Sequence, residues 1–190
     1  PLFSVGMEPH IYYNKGQHSM HALMGLIGEE KINIALRNLL KDFAYPRKPT
    51  SLDLLNLLYQ QADAAQKMVI DDLFKRVVFH DFTVHNVKSV QLANGEYETT
   101  IDLSTLKFVV NQNSNVEEKE RIDEEIEVAL FTNFPIEKQA DRILLTKHLF
   151  TQDRSVLKLR SSERPQYIQI DPRRLRIERS PGDNLIKIEK

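Results

Sequence analysis

The hydrophobic period of this chain changes once, from three and four residues up to about Phe82 to two residues beyond it. A helix repeats every 3.6 residues and a strand every 2, so the two halves cannot share one kind of layer. In the first half Met20, Leu23, Met24 and Ile27 form one helical stripe. Gly28 interrupts it, and Ile32, Ala35, Leu36, Leu39, Leu40 and Phe43 form a second. Tyr45-Pro46-Arg47-Lys48-Pro49 is a break, because two prolines remove two amide donors and push the residues before them out of helical geometry. Thr50 with Asp53 three positions on has the form of a capping box, and it precedes Leu54, Leu55, Leu57 and Leu58. A last helix carries Val69, Ile70, Leu73, Phe74 and Val77. The spacing predicts four amphipathic helices over residues 1–82, about half a helical domain.

From residue 83 to residue 190 β-branched and aromatic residues alternate with polar ones. Val84 to Ala93, then Asn94-Gly95, then Glu96 to Val110 reads as a hairpin with a tight primed turn. Tyr97, Thr99, Ile101 and Leu103 mark one face of its second strand. Further strands are expected at 122–132, 142–150, 155–160, 166–170, 173–179 and 184–188, and short strands at this spacing suggest an antiparallel β-sandwich. The fold class expected is therefore α+β.

The 190 residues hold 26 Lys and Arg against 27 Asp and Glu, a formal net charge of −1, which argues against a generally nucleic-acid-binding surface. Cysteine is absent, which excludes disulfides and thiol chemistry and leaves His, Asp and Glu as metal ligands. No apolar run approaches the roughly 18 residues of a membrane span, so a soluble piece with no direct membrane span is expected. The first residue is Pro1 and a helical pattern follows almost at once, so the chain is expected to be a piece of a longer one.

Six histidines are present: His10, His18, His21, His80, His85 and His148. His18 and His21 stand three apart on a predicted helix, whereas the zincin motif H-E-x-x-H spaces its histidines four apart and adds a Glu. The pair reads better as ordinary helix-surface or interface histidines. There is no G-x-S-x-G elbow, phosphate loop or dinucleotide glycine fingerprint. Two charge runs stand out. Residues 117–127 hold seven acids against Lys119 and Arg121, and residues 154–179 hold eight bases against Glu163, Asp171 and Glu178. One reading is docking of an anionic partner, and the other is pairing between neighbouring strands. Nucleic acid is the weaker partner, since the basic run offers only Tyr167 for stacking.

The segment Pro9-His10-Ile11-Tyr12-Tyr13-Asn14-Lys15-Gly16, followed by Met20, Leu23, Met24 and Gly28-Glu29-Glu30, resembles part of the zinc aminopeptidases of the aminopeptidase N family, gluzincin metallopeptidases. In them a Tyr-x-Lys-Gly motif opens a helix, and Tyr13-Asn14-Lys15-Gly16 fills it position by position. Pro49-Thr50-Ser51-Leu52-Asp53-Leu54-Leu55, Ile170-Asp171-Pro172 and Arg179-Ser180-Pro181-Gly182-Asp183-Asn184 look like the bacterial branch fused to an ABC-2-type permease. The resemblance spans nearly the whole chain. It implies the helical C-terminal end of a catalytic domain followed by a β-sandwich, in a parent protein of a bacterial inner membrane.

The resemblance also implies a role for Tyr13: its phenol donates to the oxyanion that forms during peptide hydrolysis, a donor whose loss typically costs around 3 to 4 kcal/mol of barrier. Tyr12 falls outside the motif register and reads as a packing residue. On its residues alone Tyr13 would sit with its ring in the core. The family's H-E-x-x-H, its distant Glu ligand and its Gly-x-Met-Glu-Asn-like loop all lie upstream of the tyrosine, and none is present here; Met7-Glu8 is not that loop. The expectation is a fragment without a cofactor, inactive alone, that completes an upstream zinc-bearing half acting on peptide substrates. A rival reading is a noncatalytic interaction module attached to a transporter. A third is an anion-binding sandwich using the arginines between 154 and 179.

Overall fold

A computed structural model of the chain describes residue 2, residues 8–135 and residues 142–189. Pro1 and Met7, which entered the reading of the N-terminus, lie outside them. The fold is α+β, with four α-helices and two antiparallel sheets among the described residues. The chain divides into two compact units: one of residues 1–78 with 109–116, the other of residues 79–108 with 117–190.

The first unit begins with a π-helical turn over His10–Lys15, which passes directly into α1 (Gly16–Ile27). Gly28 adopts φ +102° between α1 and α2 (Glu29–Asp42), a conformation glycine alone takes without strain. After the Pro46/Pro49 break, α3 (Ser51–Gln60) starts on the expected capping box: Asp53 N–H donates to Thr50 Oγ1 at 3.3 Å and Thr50 N–H to Asp53 Oδ2 at 2.7 Å. A second box opens α4 (Ala64–Phe74), where Gln66 N–H donates to Asp63 Oδ1 at 2.8 Å and Asp63 N–H to Gln66 Oε1 at 3.3 Å. Lys31 on α2 also donates to that Gln66 oxygen, at 2.8 Å.

Ala22, Leu23, Ile27, Ile32, Ala35, Leu55, Leu58, Ile70, Leu73 and Phe74 form one buried apolar cluster. Met24 and Leu40, counted in the helical stripes, are instead exposed. Each directly follows an inward-facing neighbour, and one residue turns a helix by about 100°. Val110 N–H donates to Val77 O at 2.9 Å and Gln112 Nε2 to Lys75 O at 2.8 Å, which ties residues 109–116 to the end of α4.

The strands β1 (Val78–Gln91), β2 (Tyr97–Asn111) and β3 (Val116–Glu120), most of whose residues belong to the second unit, lie side by side, and β6 (Arg154–Ser161) also pairs with β2. Strand structure starts at Val78, ahead of Phe82. There Val78, His80, Phe82 and Val84 are buried on alternate positions. The hairpin is as expected, but its turn differs. Gly95 N–H donates to Leu92 O at 3.0 Å, and Gly95 has φ +88° while Asn94 keeps a negative φ. That is a type I turn followed by a glycine bulge rather than a primed two-residue turn.

The second sheet runs in the order β5 (Arg142–Phe150), β4 (Glu124–Phe131), β7 (Tyr167–Ile170), β8 (Leu185–Lys187). One apolar cluster takes Phe82, Val84, Ile101, Leu103 and Leu157 from the first sheet and Ile126, Val128, Leu130, Phe150, Ile168 and Ile170 from the second.

Two strand expectations are corrected. Residues 173–179 do not form a strand: Asp171 turns the chain at φ +46°, and its carboxylate takes the amides of Leu175 and Arg176, each at 2.9 Å, that a ladder would otherwise pair. Only a single parallel bridge, His80 with Glu178, remains. Conversely β3, Val-Glu-Glu-Lys-Glu, is a strand that lacks apolar alternation and forms by pairing with β2.

Candidate functional site

Tyr13 sits near the end of the π turn. Ile11 and Tyr12 N–H groups both reach back to Glu8 O, at 3.0 and 3.3 Å, and Gly16 N–H reaches Ile11 O five residues back. Such wide turns are rare and gather at functional sites. Tyr13 is 67% exposed, so its ring is outside the core, and the half-open ring of Tyr12 lies 4.6 Å from it at a 51° tilt. Tyr13, Gln17, His21 and Met24 are all exposed and recur every four, four and three residues, the spacing of one helix face.

Lys15 anchors this turn. Its stem is half-buried, its Nζ donates to Arg76 O at 3.2 Å just past α4, and burial pushes its pKa below the ordinary lysine value. The motif lysine thus ties the tyrosine turn to the end of α4. The motif glycine has no comparable reason: Gly16 has an ordinary φ of −61°, and a Cβ there would meet Leu2 at 3.9 Å.

His18 is half-buried on α1 and His21 is exposed. Elsewhere His85 Nε2 lies 2.5 Å from Ser104 Oγ, and His148 stacks edge-on at 4.9 Å from Phe150. Among the described residues no group of three His, Asp or Glu side chains is gathered to hold a metal ion. No helix among them is long and apolar enough to cross a membrane. The chain matches no protein-family model and no curated protein.

The strand unit contains a charged cluster that sequence reading did not single out. Glu124 on β4 accepts Lys107 Nζ at 2.8 Å and Arg176 Nε at 2.7 Å, and His80 Nε2 stands 3.2 Å from it. Lys107, His80 and Arg176 are buried and Glu124 is nearly so. Burial alone would raise the Glu124 pKa, but His80, Arg176 and Lys107 outweigh it and hold the carboxyl far below the usual range. His80 Nδ1 is buried without a hydrogen-bond partner, so the tautomer that carries its proton on Nε2 leaves an unfilled acceptor rather than an unfilled donor.

Three arginines of the basic run pair with acids of the acidic run. Arg173 grips Glu127 through two bonds, one of 2.7 Å, Arg176 holds Glu124, and Arg179 reaches Glu117 while lying 4.8 Å over the Phe108 ring. On the first sheet Arg154 is bidentate to Asp102 at 2.9 and 2.7 Å, and Lys158 faces Glu98 at 3.5 Å. Pairing between neighbouring segments therefore occupies Arg154, Lys158, Arg173, Arg176 and Arg179.

Proposed function

We propose that this chain is the C-terminal part of a zinc aminopeptidase of the aminopeptidase N type, in which Tyr13 supplies a hydroxyl donor to the oxyanion formed when an N-terminal peptide bond is hydrolysed. The observation that carries the reading is the setting of the motif tyrosine: an open ring on a π turn whose neighbouring lysine is tied to α4. A pre-placed donor stabilises developing charge without reorganising at the moment of reaction, which is what such a position requires.

The test has two stages. The coding sequence upstream of Pro1 is read for H-E-x-x-H with a later Glu; its absence from a frame that continues upstream overturns the enzyme reading. With those ligands present, the longer chain carrying Tyr13→Phe is expected to lose about 100- to 1,000-fold in kcat with little change in KM. Wild-type kcat in that variant also overturns the assignment of Tyr13.

A second reading is a noncatalytic interaction module on a transporter. The exposed line Tyr13, Gln17, His21 and Met24, with Tyr12 beside it, favours it, because aromatic and methionine side chains are common at contact surfaces. A parent without metal ligands, with Tyr13→Phe neutral and Tyr12/Tyr13 substitutions weakening a partner's binding, would select this reading.

A further inference from the structure

Along β1 the inward positions run Val78, His80, Phe82 and Val84, and then the alternation slips by one residue. Val87 packs against the apolar core, and Ser89 Oγ accepts the buried Thr99 hydroxyl at 3.1 Å. The slip falls on His85 and Asn86, which are consecutive and both exposed where a regular strand would hide one of them. An irregularity of this kind is what a β-bulge produces, and bulges re-aim side chains beside active sites.

At the slip His85 meets Ser104 of β2. Ser104 is half-buried on the outward face between buried Leu103 and Thr105, and its Oγ lies 2.5 Å from His85 Nε2, within hydrogen-bond reach. With the ring proton on Nδ1, Nε2 accepts from the serine O–H. Asp102 stands two residues before Ser104 on the same face. Arg154, the cross-strand partner of Ser104 on β6, grips its carboxylate through bonds of 2.9 and 2.7 Å. Those bonds hold the Asp102 pKa below its ordinary value, and the charge of His85 acts in the same direction. The attraction is mutual, so Asp102 favours the imidazolium that His85 becomes when it takes a proton. All four residues belong to the second unit.

We propose that Ser104 is a nucleophile toward activated carboxylic esters, with His85 as its general base. Ser104 Oγ adds to the ester carbonyl carbon while its proton passes to His85 Nε2. The bond from that carbon to the leaving oxygen then breaks, the leaving group takes the proton, and Ser104 is left acylated. Water, giving a proton to the same nitrogen, adds to the acyl carbon; the bond to Oγ breaks, the proton returns to the serine, and a carboxylic acid departs. One water is consumed for each ester and nothing is oxidised or reduced. A nucleophile and a base within hydrogen-bond reach are what such covalent catalysis requires, and the outward face admits the ester. This inference is independent of the aminopeptidase reading.

The test treats the whole chain with p-nitrophenyl acetate and follows nitrophenolate release by absorbance. Lysines react with this ester too, so the quantity read is the difference from Ser104→Ala, which is expected to be slower than wild type. His85→Gln, which still offers the serine a hydrogen-bond partner but cannot take its proton, should reduce that difference about 100-fold. Across pH the difference should follow the neutral fraction of the His85 ring, read by NMR. A second measurement needs no variant: phenylmethanesulfonyl fluoride, which loses fluoride to leave a stable serine adduct, is mapped by peptide mass on the wild-type chain. Ser104 is expected to be modified well ahead of Ser162, which is exposed on the loop after β6. Nitrophenolate release that either substitution leaves unchanged, a rate indifferent to the His85 proton, or equal modification of Ser104 and Ser162 would overturn the assignment.

Discussion

Lys15 and Glu124 show how differently two half-hidden charges are satisfied. Lys15 gives its hydrogen bond to a backbone carbonyl, so Lys15→Met leaves Arg76 O without that donor. Urea unfolding is expected to register a loss of about 1–3 kcal/mol, together with greater mobility of the Tyr13 ring by NMR. Glu124 serves three cationic or ionisable groups at once. Glu124→Ala leaves Lys107 and Arg176 buried without their shared counter-charge, and a loss of about 3–5 kcal/mol is expected in the same assay. Asp102→Ala, which breaks an exposed pair, serves as the control and should cost far less. An equal loss for both would mean that burial gives the Glu124 cluster no special weight. Part of this cluster was legible in the sequence. His80 keeps the parity of Val78, Phe82 and Val84, and Lys107 that of Thr99, Ile101 and Leu103, so both had to point inward. Their meeting on Glu124 was not legible, because partners on three different strands are chosen by sheet topology, which alternation does not encode.

At the scale of elements, capping and periodicity were the readable signals. Thr50 with Asp53 marked the start of α3, and Asp63 with Gln66, the same motif, was available to mark α4. Tyr13 was different: only resemblance singled it out, since an exposed tyrosine on a helical turn carries no periodic signature. β3 and residues 173–179 went astray for opposite reasons. The first lacks alternation and is held by its neighbour, whereas the second alternates but loses its amides to Asp171. The Asn94-Gly95 pair marked the right place but the wrong turn. Since only Gly95 has a positive φ, Gly95→Ala is expected to cost about 1–2 kcal/mol. Asn94→Ala should cost less when the two variants are compared in thermal melts, a ranking that a primed turn would not give because there both central residues need positive φ.

For the whole molecule, two carboxylates set opposite arms of the pH profile. Glu124 has a folded pKa below its ordinary 4.5, so its contribution is present above that value and is lost as pH falls through the acid range. Glu178 is raised from 4.5 to about 7, so its contribution is complete below 4.5 and is lost as pH rises through that window. Thermal melts between pH 2 and 8 are therefore expected to peak in mildly acidic solution, and Glu178→Gln should flatten the neutral side while leaving the acid side in place. Parallel profiles for the two proteins would remove Glu178 as the cause.

The assignment of residues 109–116 to the helical unit, through Val110 to Val77 and Gln112 to Lys75, bears on synthesis. A chain emerging from the ribosome can form its four helices once residue 74 is out, but the carbonyls beyond the last helix have to wait for some forty more residues, including the whole first hairpin. The helical unit is thus completed by a return visit of the chain, and any ribosome-bound intermediate shorter than that leaves its final turn facing water.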